Sequence, residues 1–263
     1  MFFTLSRFEG RYRAEVLQRL KPGTTASVLR EEDLAHLPEP VRNYVRYTGA
    51  VGKPRIHNFR AVSAGSIKRS VGGAWMELSS RQYNFFDDPA RLYYIRASLF
   101  GIPFDGLHAY IGTEATMKIN VAYVIPVADT SGGKMNQSEN VTMFNDLCLF
   151  APSELVGKNI SWDPVDPVTA RARYTNNGIT VSAVLYFNGN GELENFVSDD
   201  RYLSADKKTF PPYQWSTPVK EYRDFDGRKV PAYGEAVLQM PEGPFAYARF
   251  NLKEIEYNCS EFR

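Results

Sequence analysis

Residues 169–198 read TARARYTNNGITVSAVLYFNGNGELENFVS, and this stretch decides the fold class. Ile179, Val181, Ala183, Leu185 and Phe187 recur at every second position, the signature of a strand with one buried face. Asn176-Asn177-Gly178 stands before that run and Asn188-Gly189-Asn190-Gly191 after it. Asn and Gly tolerate the positive φ that tight hairpin turns need, so the flanking runs should be antiparallel neighbours.

The alternation extends outward in both directions. Strands are expected at 56–69, 74–86, 91–99, two within 107–127 broken near Gly112, 159–165, 169–175, 179–187, 192–203, 213–225, 228–240 and 245–258. Gly72-Gly73 and Asp226-Gly227 supply further turns. Within 245–258 the apolar positions run Ala248, Phe250, Leu252 and then step to Ile255 and Tyr257. A one-residue slip turns every later side chain over, which places a bulge or bend near Lys253-Glu254.

Helical spacing appears in three places. Phe8, Tyr12, Val16 and Leu20 mark residues 6–20, stopped by Lys21-Pro22-Gly23. Glu31-Glu32-Asp33 opens a short turn ending near Pro38, and Pro40 suits the first turn of a helix carrying Val41, Tyr44 and Val45, closed by Gly49. Residues 136–151 carry Val141, Phe144, Leu147, Cys148 and Ala151 at helical spacing. There Asn136 or Ser138 would cap the start, Glu139 would sit in the first turn, and Pro152 would end it. The expected architecture is mainly β with a few α elements: a curved antiparallel sheet forming an incomplete half-barrel. The N-terminal helices and the mid-chain helix would lie against its concave face. No repeat or low-complexity linker divides the chain, so residues 1–263 read as one domain, a helical lead-in over 1–50 and a half-barrel over 55–263.

Hydrophobic residues make up 43% and charged residues 23%, which excludes disordered, collagen-like and coiled-coil classes. Aromatics at 14% suit strands. Lys and Arg number 31 against 30 acids, without the basic excess of a nucleic-acid partner, so none is expected. Cys148 and Cys259 form no C-x-x-C pair and read as free thiols. The sequons at Asn136, Asn140, Asn159 and Asn258 read as chance matches without a secretory signal. Met1–Leu5 is shorter than the ~7–15 apolar residues of a signal-peptide core. As given, the chain reads as cytoplasmic, or as membrane-anchored if an upstream helix was removed; any membrane association falls to a segment outside this chain.

His36, His57 and His108 lie in different elements, without the converging spacing of a metal site. Ser131-Gly132-Gly133-Lys134-Met135 lacks the first Gly and the Ser or Thr of a phosphate loop. Neither a nucleophile elbow nor a dinucleotide fingerprint occurs, and no metal, cofactor or catalytic residue is assigned. Asp87-Asp88-Pro89 reads as a turn, and Asp199-Asp200-Arg201 as a strand crossing with a salt bridge. Trp75, Trp162, Trp215 and Tyr213 read as core by default, although a cavity for an apolar ligand is lined by the same residue types and composition does not separate the two. Asn145-Asp146, inside the greasiest helix, is costly to bury without partners. Either the pair ties the helix to the sheet, through Arg81 or Arg201, or it lines a cavity and orients a polar ligand group.

Met143-Phe-Asn-Asp-Leu-Cys-Leu-Phe-Ala-Pro152, Ser161-Trp-Asp-Pro164, Ser198-Asp-Asp-Arg-Tyr202 and the opening Leu37-Pro-Glu-Pro-Val-Arg-Asn-Tyr44 with Tyr47-Thr-Gly-Ala50 together resemble an uncharacterised bacterial family, a domain of unknown function. The resemblance covers nearly the whole chain and implies no activity. Members of that family often look as if membrane helices precede this region. The order of elements is also similar to the half-barrels of periplasmic lipoprotein carriers, which implies an incomplete antiparallel barrel holding acyl chains against helices.

The expected function is binding of a hydrophobic or amphipathic small molecule, a lipid among them, between helix and sheet. Trp75, Tyr83, Phe85, Met143, Phe144, Leu147 and Phe150 would line the cavity, and Arg81, Asn145 and Asp146 would supply polar contacts. Two other readings stay open: a cofactor-independent enzyme in the same cavity, with Asp146 as its ionisable group, and a structural or partner-binding module with a solid core.

Overall fold

A computed structural model describes residues 6–22, 26–202 and 213–263. Among them, thirteen antiparallel strands form one sheet: β1 (Asn58–Ile67), β2 (Met76–Phe85), β3 (Ala90–Leu99), β4 (Ile102–Ile111), β5 (Glu114–Val121), β6 (Ile125–Ser131), β7 (Ile160–Asp166), β8 (Thr169–Asn176), β9 (Ile179–Phe187), β10 (Leu193–Ser198), β11 (Trp215–Phe225), β12 (Arg228–Met240) and β13 (Gly243–Tyr257). The spatial order is β6-β5-β4-β3-β2-β1-β13-β12-β11-β10-β9-β8-β7. Two up-and-down runs therefore meet where β1 pairs with β13, and the outermost strands β6 and β7 leave the barrel open.

Among the described residues, three α-helices accompany the sheet: α1 (Arg7–Arg19), α2 (Glu39–Tyr47) and α3 (Gly133–Phe150). α3 touches β4, β5 and β6 near one edge, β9 and β10 near the other, and β12 between them. One helix reaches both edges only if the sheet curls around it, so the side facing α3 is concave. Asn177 also donates to the Gly112 carbonyl, bringing the β8–β9 turn against the β4–β5 turn. Phe144 stacks on Tyr174 with centroids 5.0 Å apart, in a core shared with Leu147, Leu185, Phe196 and Trp215. α2 enters the same core through Val41, Tyr44 and Val45, and the Tyr44 hydroxyl donates to the Cys148 carbonyl at 2.8 Å.

α1 lies on the opposite face. Its Phe8, Tyr12 and Val16 pack on Tyr83, Phe85, Leu92, Tyr94 and Leu107, and its buried Glu9 pairs with Arg81 and with Arg96, the latter at 2.6 Å. The helical lead-in is thus divided, α2 inside the curl and α1 outside it. Strands β2 to β4 are covered on both faces and carry large side chains on each.

The turn chemistry holds where Gly, Asn or Asp provides it: Gly72, Asn177, Gly178, Gly191, Asp226 and Gly227 all have positive φ. The bulge falls where the apolar face steps: Val62 pairs with Glu254 and Ser63 with Leu252, leaving Lys253 over. A second bulge leaves Tyr247 over, since Ala236 pairs with Ala248 and Val237 with Ala246. Two expectations need correction. The region read as two strands over 107–127 is three, because β4 already starts at Ile102 and β6 begins at Ile125. α3 begins at Gly133 behind Gly132, with no side-chain cap. Asn136 instead accepts from the Ala115 N–H at 2.8 Å, the Ser138 hydroxyl donates to the Lys134 carbonyl, and Glu139 lies beyond the first turn. Met1–Leu5, Gly23 of the expected helix stop, and Leu203 at the end of the expected 192–203 strand lie outside the described residues.

Candidate ligand cavity

A cavity of about 200 Å³ lies between α3 and the middle strands. Antiparallel pairing fixes which residues face it, because residues directly opposite share a face. Ser80 stands opposite Ser63 and Ile95, and Gln82 opposite Tyr93. Even-numbered residues of β2 and odd-numbered residues of β3 therefore turn towards α3. The strands supply an apolar wall that includes Ile67, Leu78, Ile95, Val219, Phe250 and Leu252. α3 supplies the other wall with Glu139, Thr142, Asn145, Asp146, Leu149 and Phe150, a stripe at helical spacing that is mainly polar. The helix is therefore amphipathic in reverse: its polar stripe faces the hollow, and Val141, Phe144 and Leu147 face packed side chains.

Arg91 on β3 joins the two helix carboxylates. Its Nε donates to Asp146 Oδ2 at 2.6 Å and its Nη1 to Glu139 Oε2 at 3.1 Å. Asp146 Oδ2 also accepts from Gln82 at 2.6 Å and Asn84 at 3.1 Å. His108 Nδ1 is 3.7 Å from Glu139 Oε1, and Asn145 donates to Thr217 Oγ1 at 2.6 Å. These partners meet the hydrogen-bonding demand of polar groups removed from water. Burial alone would raise the Glu139 carboxyl, but Arg91 and His108 outweigh it and hold the group at about 2. Burial works against the Arg91 charge, yet Asp146 and Glu139 overcome it and raise the group above its ordinary value. Tyr93, on the same wall, is pushed up to about 12 by burial. The Arg201 guanidinium lies over the Trp215 ring, 4.7 Å from its centroid, with Nε 3.5 Å from Thr142 Oγ1. Among the described residues, no three His, Cys, Asp or Glu side chains converge as metal ligands.

Of the ten residues expected to contact ligand, Asn145, Asp146 and Phe150 line this cavity. Arg81, Tyr83 and Phe85 do not: they occupy the odd-numbered face of β2, under α1. Trp75 stands before β2 with Lys68 and Arg249 over its ring, 4.7 and 4.6 Å from the centroid. Met143 packs with Tyr110, Ala115 and Met135, while Phe144 and Leu147 belong to the main core. Asp146 is tied to the sheet, but through Arg91, Gln82 and Asn84 and not through Arg81 or Arg201. The residues missed were Gln82, Arg91, His108 and Glu139, while Trp215, one of the four aromatics weighed for core or cavity, and Arg201, weighed as a partner of Asn145-Asp146, also line it. One signal was available for Glu139, which precedes Asp146 by two helical turns on one stripe.

Residues 27–250 match the model of a family of unknown function, DUF6544. The chain belongs to that family, as its motifs over 37–50, 143–152, 161–164 and 198–202 suggested. No curated protein matches in sequence. Among solved structures, the chain is similar to a domain from Vibrio parahaemolyticus described as part of an outer membrane lipoprotein-sorting protein, at 8% identity and a TM-score of 0.44, covering 76% of this chain and 85% of that one. It is similar to a LolA superfamily protein from Nitrosomonas europaea at 9% identity and 0.41, covering 89% and 94%. A DUF1329 family protein from Desulfovibrio piger is similar at 12% identity and 0.41, covering 83% and 91%.

Proposed function

We propose that this member of DUF6544 binds a small amphipathic molecule, an acyl chain or a compound of similar bulk, in the cavity beneath α3. The observation that carries this reading is the divided lining, mostly apolar along β1, β12 and β13 and polar where the α3 stripe meets Gln82, Arg91 and His108. An apolar void of ~150 Å³ already accepts benzene, so about 200 Å³ accommodates a ring or a short chain. Burying a tail against Ile67, Leu78, Ile95 and Phe250 contributes roughly 25 cal/mol per Å². The α3 stripe and half-buried Arg201 give a polar end somewhere to point.

Titration with 1-anilinonaphthalene-8-sulfonate tests the reading. One saturable site with enhanced emission is expected. Ala248→Phe, which places a ring into the cavity from a buried wall position, should weaken it about tenfold or more. A native mass spectrum of the chain purified from cells provides a readout without mutation. No dye binding together with no co-purifying small molecule would refute the proposal.

A further inference from the structure

Three neighbouring hairpins project from the same end of the sheet. Their tips are residues 68–75 between β1 and β2, 100–101 between β3 and β4, and 122–124 between β5 and β6. Paired strands lie ~4.8 Å apart, so successive tips are about 10 Å apart. The second and third are linked directly, since the Ala122 N–H donates to the Pro103 carbonyl at 2.8 Å. Across these tips, Phe100 is 89% exposed and Val124 75%, and Val71, Ile102 and Ile125 are exposed as well. A single exposed apolar residue is ordinary, but a run across consecutive tips is not.

Turn stability does not account for these side chains. Phe100, Ala122 and Tyr123 all have positive φ, where Asn, Asp or Gly is favoured. Elsewhere the same chain uses Asn177-Gly178 and Asp226-Gly227 at such positions. The tips also carry Lys68 and Arg69, with no Asp or Glu within 68–75, 99–103 or 121–125. The next tip along the sheet, Pro241-Glu242, brings in an acid and bounds the patch.

We propose that these three hairpin tips dock onto the surface of an anionic lipid bilayer, which places within this chain a membrane association that the sequence assigned only to a segment outside it. Apolar tips enter the boundary between headgroups and acyl chains, aromatic Trp75 and Tyr123 suit the headgroup level, and the two cations meet anionic lipid. A second copy of this chain would bring the same cations face to face. Strand addition along β6 is opposed by Pro126 within that edge strand. Ile67 and Leu78, which line the cavity, sit at the strand ends leading into the first tip, so docking brings the cavity close to lipid. The docking surface itself does not depend on the ligand reading.

Flotation of the full chain with vesicles of phosphatidylcholine and phosphatidylglycerol at 3:1, and with pure phosphatidylcholine, tests it. The chain should float with the anionic vesicles, more weakly with neutral ones, and less as salt is raised. The triple variant Phe100→Asn, Tyr123→Gly, Val124→Ser removes the apolar tips but improves the turns, so it should keep the melting temperature and lose about tenfold or more in partitioning. Wild-type chain that stays at the bottom of the gradient overturns the proposal, as does a folded triple variant that floats equally well. A wild-type dimer in sedimentation velocity that the triple variant abolishes, with no vesicle binding, would assign the surface to a second copy instead.

Discussion

Arg91→Met would test the polar half of the cavity wall most directly. The guanidinium is buried between Asp146 and Glu139, and removing one partner of a buried ion pair costs about 3–5 kcal/mol because the remaining charge stays uncompensated. With a urea m-value of about 3 kcal/mol/M, the unfolding midpoint should fall by at least about 1 M at pH 7. The pH dependence should change sign as well. In the wild type, Glu139 is held at about 2, below its ordinary 4.5. Its contribution is therefore present above pH 4.5 and lost as pH falls from 4.5 towards 2, worth about 3 kcal/mol in all. Without Arg91, burial, the largest influence on the Glu139 carboxyl, is opposed only by His108 and Arg201, and the carboxyl should rise above its ordinary value. The variant should then gain stability as pH falls from 7 towards 4.5, where the wild type stays level on this account. Urea unfolding at pH 7, 5.5 and 4.5 measures both effects. Adding Glu139→Gln and Asp146→Asn to Arg91→Met should recover most of the loss. A loss under about 1 kcal/mol, or a variant with the pH slope of the wild type, would refute the reasoning.

Two further outcomes follow from packing. A Cβ at Gly65 would collide with the Arg249 carbonyl oxygen across the β1–β13 pairing, so Gly65→Ala should cost about 2 kcal/mol or more in thermal unfolding; unchanged stability would mean that the pairing is looser than described. Burial pushes the Cys148 thiol well above its ordinary range and Cys259 up to about 11. Both thiols should therefore react slowly with a chromogenic disulfide reagent at pH 7.5 and rapidly after denaturation, whereas fast native reaction of Cys148 would contradict its placement beneath α2.

The sheet was legible wherever turn residues obeyed their chemistry. Asn177-Gly178 and Asp226-Gly227 marked hairpins, and the step from Leu252 to Ile255 located the bulge at Lys253. It became illegible where apolar residues took positive φ: Phe100 and Ala122-Tyr123 hid two turns, and with them the start of β4 and all of β6. The site was legible in part, through the cost of burying Asn145-Asp146. Its other wall was misassigned because β2 is covered on both faces. Tyr83 and Phe85 are larger and more apolar than Gln82 and Asn84, but they pack under α1, while the smaller amides reach Asp146. Hydrophobicity cannot choose between two buried faces. Arg91 reads locally as one more strand cation, and only the fold brings it to partners on α3, three strands later in the chain.

The pairing of the first strand with the last has a consequence for the hollow itself. Ser63 and Ile67 come from β1, and Ala248, Phe250 and Leu252 from β13, so the compartment straddles the seam between the chain's two meanders and neither meander encloses it alone. Joining that seam closes the longest loop in the sheet, the contact with the greatest entropic cost of assembly. A small molecule held there would bind only finished chains and would stabilise the seam in proportion to its occupancy, making cargo and completed folding two readings of one event.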